Sequence, residues 1–185
     1  MARPYRIEGL AIVSADGMIA DAQGVQPPAL KLKADQRYFF AALDRADVVV
    51  HGRNSGEGGP RAATRRRIVL TRTVSSVARD PGNERCVRWN PAGATLDQAL
   101  AMLGRPDGLL AVIGGTEVYG HFLDLGYDAF HLSRAGHAQL PGGRPLFPGI
   151  PPNTPEDLLA RHGLKPGPAR SLDAAAGLTL VDWSR

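Results

Sequence analysis

The sequence predicts an α/β fold: a mostly parallel central sheet flanked by helices, with an antiparallel edge towards the C-terminus. Three observations predict it. Short apolar runs such as "ADVVVHG" and "LLAVIGG" alternate with segments of helical spacing, the pattern of successive βαβ units. The chain closes on a helix and further strands, which suggests an antiparallel edge there. The chain has 185 residues, 43% hydrophobic and 22% charged, which suits one domain over residues 1–185 with a substantial core.

The elements follow in order. "YRIEGLAIVS" (Tyr5 to Ser14) ends in a strand-like run, and "ADGMIADAQG" after it has turn chemistry. The adjacent prolines of "VQPPALKLK" predict a loop. "ADQRYFFAALDR" (Ala34 to Arg45) has helical spacing, with Tyr38, Phe39, Ala42 and Leu43 on one broad face. "ADVVVHG" (Ala46 to Gly52), "IVLT" (Ile68 to Thr71) and "CVRW" are strands, the first two separated by the Gly- and Arg-rich loop "RNSGEGGPRAATRRR". "TLDQALAML" is a helix whose Thr95 and Gln98 have capping-box spacing and whose Gly104 stands where a glycine would stop it. "LLAVIGG" is a strand, "TEVYGHFLD" a short helix and "YDAFHLSR" a strand. In "NTPEDLLARHG" Thr154 caps a helix, Pro155 suits its first position, and Glu156 and Asp157 favour its N-terminal dipole. "LTLVDW" (Leu178 to Trp183) closes the chain as a strand.

Several classes are disfavoured. No apolar run approaches the roughly 18 residues of a membrane span, and the start has no export signal, so a cytoplasmic protein with no membrane partner is expected. The single cysteine, Cys86, falls in a strand and reads as a packed thiol, not as part of a disulfide framework. The histidines lack metal-ligand spacing, so no metal site is predicted. The net charge of +4 favours anionic ligands without choosing among them.

In an open α/β sheet, ligands bind beyond the carboxyl ends of the strands. Three loops lie there. The first offers Gly52, Arg53, Asn54 and Ser55. The second offers Thr71, Arg72 and Thr73. The third, "VIGGTEVY", offers Gly114, Gly115, Thr116, Glu117 and Val118. Paired glycines let backbone approach a ligand closely, and a helix N-terminus suits phosphate. A tight strand-to-helix turn without a ligand would use the same residues. There is no GxGxxG after the first strand, so a Rossmann fingerprint is absent.

Together, "AIVSADGMIA", "ADVVVHGRNS", "IVLTRT", "VIGGTEVYGHFL" and "LFPG" resemble the dihydrofolate reductase superfamily, and within it the reductase domain of riboflavin biosynthesis. The resemblance covers most of the chain to about residue 150 and is weaker beyond. It implies the three-layer dihydrofolate reductase-like fold, NADPH as cofactor and hydride transfer to a small heterocyclic substrate. It further implies that the Gly114–Gly115 bond is cis, and that Arg72 reads the adenosine 2′-phosphate, with Arg53 close by. By analogy it implies a homodimer.

The substrate half departs from the pattern. The carboxylate that holds the pterin ring in dihydrofolate reductases has a counterpart in Asp35, but the Pro-Trp signature ahead of it is missing. A helix-terminal charge is the alternative reading of Asp35. In the riboflavin-type loop the nearest carboxylate is Glu57, and Met18 stands where a basic residue is usual. Asp35 and Glu57 are therefore the candidate catalytic residues, while Asp16 reads as a turn residue. The expected activity is that of a 5-amino-6-(5-phosphoribosylamino)uracil reductase; the alternatives are a dihydrofolate reductase or a related reductase of another substrate. A reading from another class is a non-catalytic anion or nucleic-acid binding module, with Arg61, Arg65, Arg66, Arg67 and Arg72 as its patch; no nucleic-acid motif supports it. On the reductase reading, Arg65, Arg66 and Arg67 precede a strand, so they are expected at its opposite end as a solvated run.

Overall fold

The first apolar run becomes β1 (Tyr5–Ser14), a strand near the middle of the sheet, in a computed structural model that describes residues 3–185. The chain then runs through β2 (Met18–Ala20), α1 (Lys33–Arg45), β3 (Val48–Gly52), β4 (Arg67–Leu70), β5 (Val77–Asp80), β6 (Asn83–Trp89), α2 (Leu96–Leu103), β7 (Gly108–Val112), α3 (Thr116–Leu125) and β8 (Ala129–Ala135). After these come β9 (Arg144–Pro145), α4 (Pro155–Arg161), β10 (Lys165–Pro166), β11 (Arg170–Asp173) and β12 (Leu178–Ser184). The proline loop contains one short 3-10 turn, Pro28–Leu30.

The strands β8, β1, β7, β3, β4 and β6 lie side by side in that order, all parallel. β12 adds antiparallel to β8 and carries β10 and β11, which gives the C-terminal antiparallel edge expected from the sequence. A second antiparallel edge was not expected: β5 folds back on β6 through the Asp80–Asn83 turn. There the Asp80 carboxylate accepts from the Gly82 amide at 2.8 Å and from Arg88 Nε at 2.8 Å. β2 and β9 form a separate two-stranded ribbon.

Both faces of the parallel strands are covered, which is why their sequences run apolar without alternation. In β3, Val48 and Val50 join the core under α2, α3 and α4, while Val49 faces Ala42 and Leu43 of α1. β7 does the same, with Leu110 and Val112 on one side and Ala111 on the other. The result is three layers, α/β/α. Cys86 is buried in β6.

The predicted caps form. Thr95 and Gln98 make a reciprocal capping box, and Gly104 ends α2 in the left-handed region at φ 73°. Thr154 caps α4 in the same way with Asp157. Asp16 is a turn residue: its carboxylate accepts from Ser14 Oγ at 2.5 Å and from the Leu140 amide at 3.0 Å, tying the β1–β2 turn to the segment after β8.

No helix among the described residues is long and apolar enough to cross a membrane.

Candidate active site

Because β3, β4 and β7 are parallel neighbours, their carboxyl ends open on one edge of the sheet. The loops that follow them converge there on a cleft of about 1790 Å³. Gly52, Arg53, Asn54, Ser55, Thr71, Arg72, Thr73, Gly114, Gly115, Thr116, Glu117 and Val118 all line it, and so do Asp35 and Glu57. The candidate residues are thus brought to one site, although they come from four segments of the chain.

One end of the cleft is built from backbone and cations. The Gly52 amide donates to the Gly114 carbonyl at 2.7 Å, so the first and third loops are stitched together. The Gly114–Gly115 bond is cis. A Cβ on Gly115 would come within 3.1 Å of Ser55 Oγ, and one on Gly52 within 3.3 Å of a Val118 methyl. Glycine at both positions keeps open the narrow space between the loops. α3 begins immediately after this pair, and its N-cap, Gly115, supplies no side-chain cap. The amides of its first turn are therefore free to meet an anion. The Thr116 hydroxyl is committed to the Pro145 carbonyl at 2.5 Å, so Thr116 offers its amide only. Glu117 is exposed in that first turn; there it too can offer its amide, while its carboxylate opposes an anion. Arg53 and Arg72 are exposed on the cleft wall and are in no ion pair among the described residues. Thr71 and Thr73 bring their hydroxyls within 3.0 Å of each other beside Arg72.

This end fits an elongated, phosphate-bearing dinucleotide. It has room where a Cβ would intrude, unpaired amides at a helix N-terminus, and two free guanidinium groups that can meet phosphate with paired hydrogen bonds.

The other end is a deeper polar pocket between α1 and β8. Asp35 is 8% exposed in the first turn of α1, and Ser133 of β8 is 2% exposed. Burial raises the Asp35 pKa above the ordinary carboxylate value, with the Ser133 hydroxyl working against it. A buried, cleft-facing carboxyl is not what a solvated helix-terminal charge would be. Towards the surface from this pair, Tyr38 Oη lies 2.9 Å from His131 Nδ1, which is also 2.6 Å from Asp182. His131 Nε2 lies 3.1 Å from Glu8. Burial alone would lower the His131 pKa, but its bonds to Glu8 and Asp182 prevail and raise it. No local pattern announces this network, because Glu8, Tyr38, His131 and Asp182 sit on four different elements.

Two expectations need correction. Glu57 borders the cleft, yet its side chain is only 4% exposed and is held by Arg65 and Arg67. Both guanidiniums are bound to the same oxygen, Oε1, and the Gly59 amide donates to Oε2 at 2.8 Å. Burial alone would raise its pKa, but Arg67 and the Gly59 amide outweigh this and hold it below the usual value. A carboxylate held charged by three donors is a poor source of a proton, and its bonds tie the loop to Arg65 and Arg67. Likewise the run Arg65, Arg66 and Arg67 is not a solvated face. Arg67 is the first residue of β4, Arg65 and Arg67 are buried, and only Arg66 is exposed.

The chain has the dihydrofolate reductase-like fold. Among solved structures it is similar to a pyrimidine reductase-like protein from Corynebacterium diphtheriae, with TM-score 0.66 and 17% identity over 98% of this chain and 92% of that one. It is similar also to a protein assigned to riboflavin biosynthesis from Shewanella sp. PV-4, with TM-score 0.64 and 22% identity over 97% and 98%. A third similar structure is the dihydrofolate reductase of Enterococcus faecalis in complex with NADP(H), with TM-score 0.62 and 14% identity over 97% and 96%. At these identities the likeness is one of fold. No protein-family model matches the sequence, and no curated protein matches it.

Proposed function

We propose that the protein is an NADPH-dependent reductase of a small heterocycle, of the 5-amino-6-(5-phosphoribosylamino)uracil reductase type. The observation that carries this reading is the two-ended cleft: a glycine- and arginine-lined end that fits a dinucleotide phosphate, continuous with a pocket that ends on a buried carboxyl. A pyrimidine reductase-like protein and a protein assigned to riboflavin biosynthesis are among the structures of similar fold, in keeping with this reading.

The first-turn amides of α3, Arg53 and Arg72 hold the phosphates, and Thr71 and Thr73 add hydroxyl donors. When bound, the cofactor supplies a hydride. Asp35 holds a proton to higher pH than an exposed carboxyl because of its burial, and it lies where a ring nitrogen of the substrate can take that proton or pair with the carboxylate. Leu10, Ile19 and Phe39 also line the cleft and would help exclude water from around the ring.

Dihydrofolate reduction is a second reading within the class. It rests on Asp35, which stands on the first helix opposite a hydroxyl residue of β8.

The test is a fluorescence titration with NADPH and NADH, followed by turnover with the ribosylaminopyrimidine and with dihydrofolate. Asp35→Asn should bind NADPH as the wild type does and lose most turnover. No NADPH binding by the folded wild type would end the reading.

A further inference from the structure

Beneath the Gly52–Gly59 loop lies a line of charged groups to which the chemistry of the cleft assigns no task. It starts at Asp44 on α1, whose Oδ1 accepts from Arg65 Nη2 at 2.6 Å. Arg65 Nη1 donates to Glu57 at 3.1 Å, and Glu57 in turn holds the Gly59 amide at 2.8 Å. Arg67 also pairs with Glu57, and it donates to the Ala62 carbonyl at 2.8 Å. Arg67 Nη1 then donates to His51 Nε2 at 3.2 Å. A guanidinium only donates, so Nε2 must be the acceptor and the proton of the neutral ring sits on Nδ1. That Nδ1–H donates to the Gly52 carbonyl at 2.7 Å. The Gly52 amide completes the line to Gly114.

Such a cluster is poor evidence for stability. Removing buried charges from water costs about as much as their pairing returns, and apolar side chains of similar volume would pack as well. What it supplies is a fixed shape. The loop contains Gly56, Gly58 and Gly59, residues with a large conformational freedom to lose. The line pins that loop at Gly52, Glu57 and Gly59, and the segment just after it at Ala62. His51, Arg65 and Arg67 do not themselves line the cleft. Within this line, His51 reaches the cleft through the Gly52 carbonyl, and the two arginines through Glu57.

We propose that Asp44, Arg65, Arg67 and His51, behind the cleft wall, act with Glu57 on that wall as a positioning device that sets dinucleotide affinity by holding the Gly52–Gly59 loop against the Gly114–Gly115 peptide. The proposal rests on the cofactor reading above, but its structural half can be measured without cofactor.

The decisive comparison is His51→Leu with His51→Gln. A glutamine amide can accept from Arg67 and donate to the Gly52 carbonyl; a leucine can do neither. His51→Leu should weaken NADPH binding about tenfold or more, and His51→Gln should restore most of the loss. In the absence of cofactor, hydrogen exchange at the Ser55 and Gly59 amides should be faster in His51→Leu and near the wild-type rate in His51→Gln. Arg66→Ala, on the exposed side of the run, should change neither quantity. Equal NADPH affinity in folded His51→Leu and wild type would overturn the proposal, as would equal losses in both variants. Should His51→Leu not fold, Asp44→Ala removes the acceptor of Arg65 at the half-exposed outer end of the line and must show the same faster exchange at Gly59; an unchanged rate there overturns it. A wild type that binds no NADPH refutes the cofactor reading, and the exchange rates then judge the loop-holding claim by themselves.

Discussion

The Tyr119 hydroxyl donates to the Leu10 carbonyl at 2.5 Å, joining α3 to the middle of β1. The β1–β7 ladder ends at the Gly9–Val112 pair, and the phenol takes up the carbonyl one residue further on. Tyr119 is 3% exposed, and burial raises its pKa far above the ordinary phenol value, so it stays a donor at every physiological pH. A Cβ on Gly114 would come within 3.1 Å of the same ring. One side chain therefore anchors β1, shapes the Gly-Gly turn and packs in the core.

Tyr119→Phe should keep the fold and lose about 1–3 kcal/mol, the range for leaving a buried acceptor without its donor. Urea unfolding measures this. A loss below a few tenths of a kcal/mol would mean that water takes the place of the phenol.

Arg72→Ala should weaken NADPH binding on the order of ten- to a hundredfold and leave NADH nearly unchanged. Arg72 lies just past the end of β4 on the cleft wall. A charge-assisted bond to a 2′-phosphate contributes about 1.5–3 kcal/mol, and about 1.4 kcal/mol is a factor of ten. Titrations of both cofactors decide it: equal weakening of the two would place Arg72 away from the 2′-phosphate.

Gly115→Val should remove NADPH binding from a folded protein. The new side chain would start within 3.1 Å of Ser55 Oγ, in the space between the two loops. A folded variant, checked by circular dichroism, that binds NADPH with wild-type affinity would show that the dinucleotide does not pass there.

Stability should depend on pH through His131. Its folded pKa is raised above the unfolded value, which is about 6.5. The stabilisation is therefore fully present below that unfolded value and is lost as pH rises through the folded one. The groups facing the ring are Glu8, Asp182 and Tyr38, with Arg170 bonded to Asp182 at 2.6 Å. The difference in melting temperature between wild type and His131→Gln should be largest near pH 5.5 and shrink towards pH 9. A difference that grows with pH would mean that the ring is held neutral.

Much of the scaffold was legible because its signals are local. "ADVVVHG" and "LLAVIGG" announce strands, and both lie in the parallel centre of the sheet. The Thr95–Gln98 box and the Thr154 cap each lie within one helical turn, so a few residues suffice to predict them; that Asp157 reciprocates to Thr154 came from the structure. Short pieces such as β5, "VARD", and β10, "KP", have no periodicity of their own; the neighbouring strand decides their pairing.

The site divides in the same way. The sequence by itself determined the three loops at the strand ends, because glycine pairs, arginines and hydroxyls there act through backbone room and charge where they stand. Only the tertiary structure decided what the other charged groups do. Glu57 reads as a free acid beside a cleft until Arg65 and Arg67, eight and ten residues on, fold back over it. His131 meets Glu8 across 123 residues of chain and Asp182 across 51. An ionic group takes its role from whatever partners the fold brings within about 3 Å and from how far it is removed from water, and neither is a property of the sequence around it.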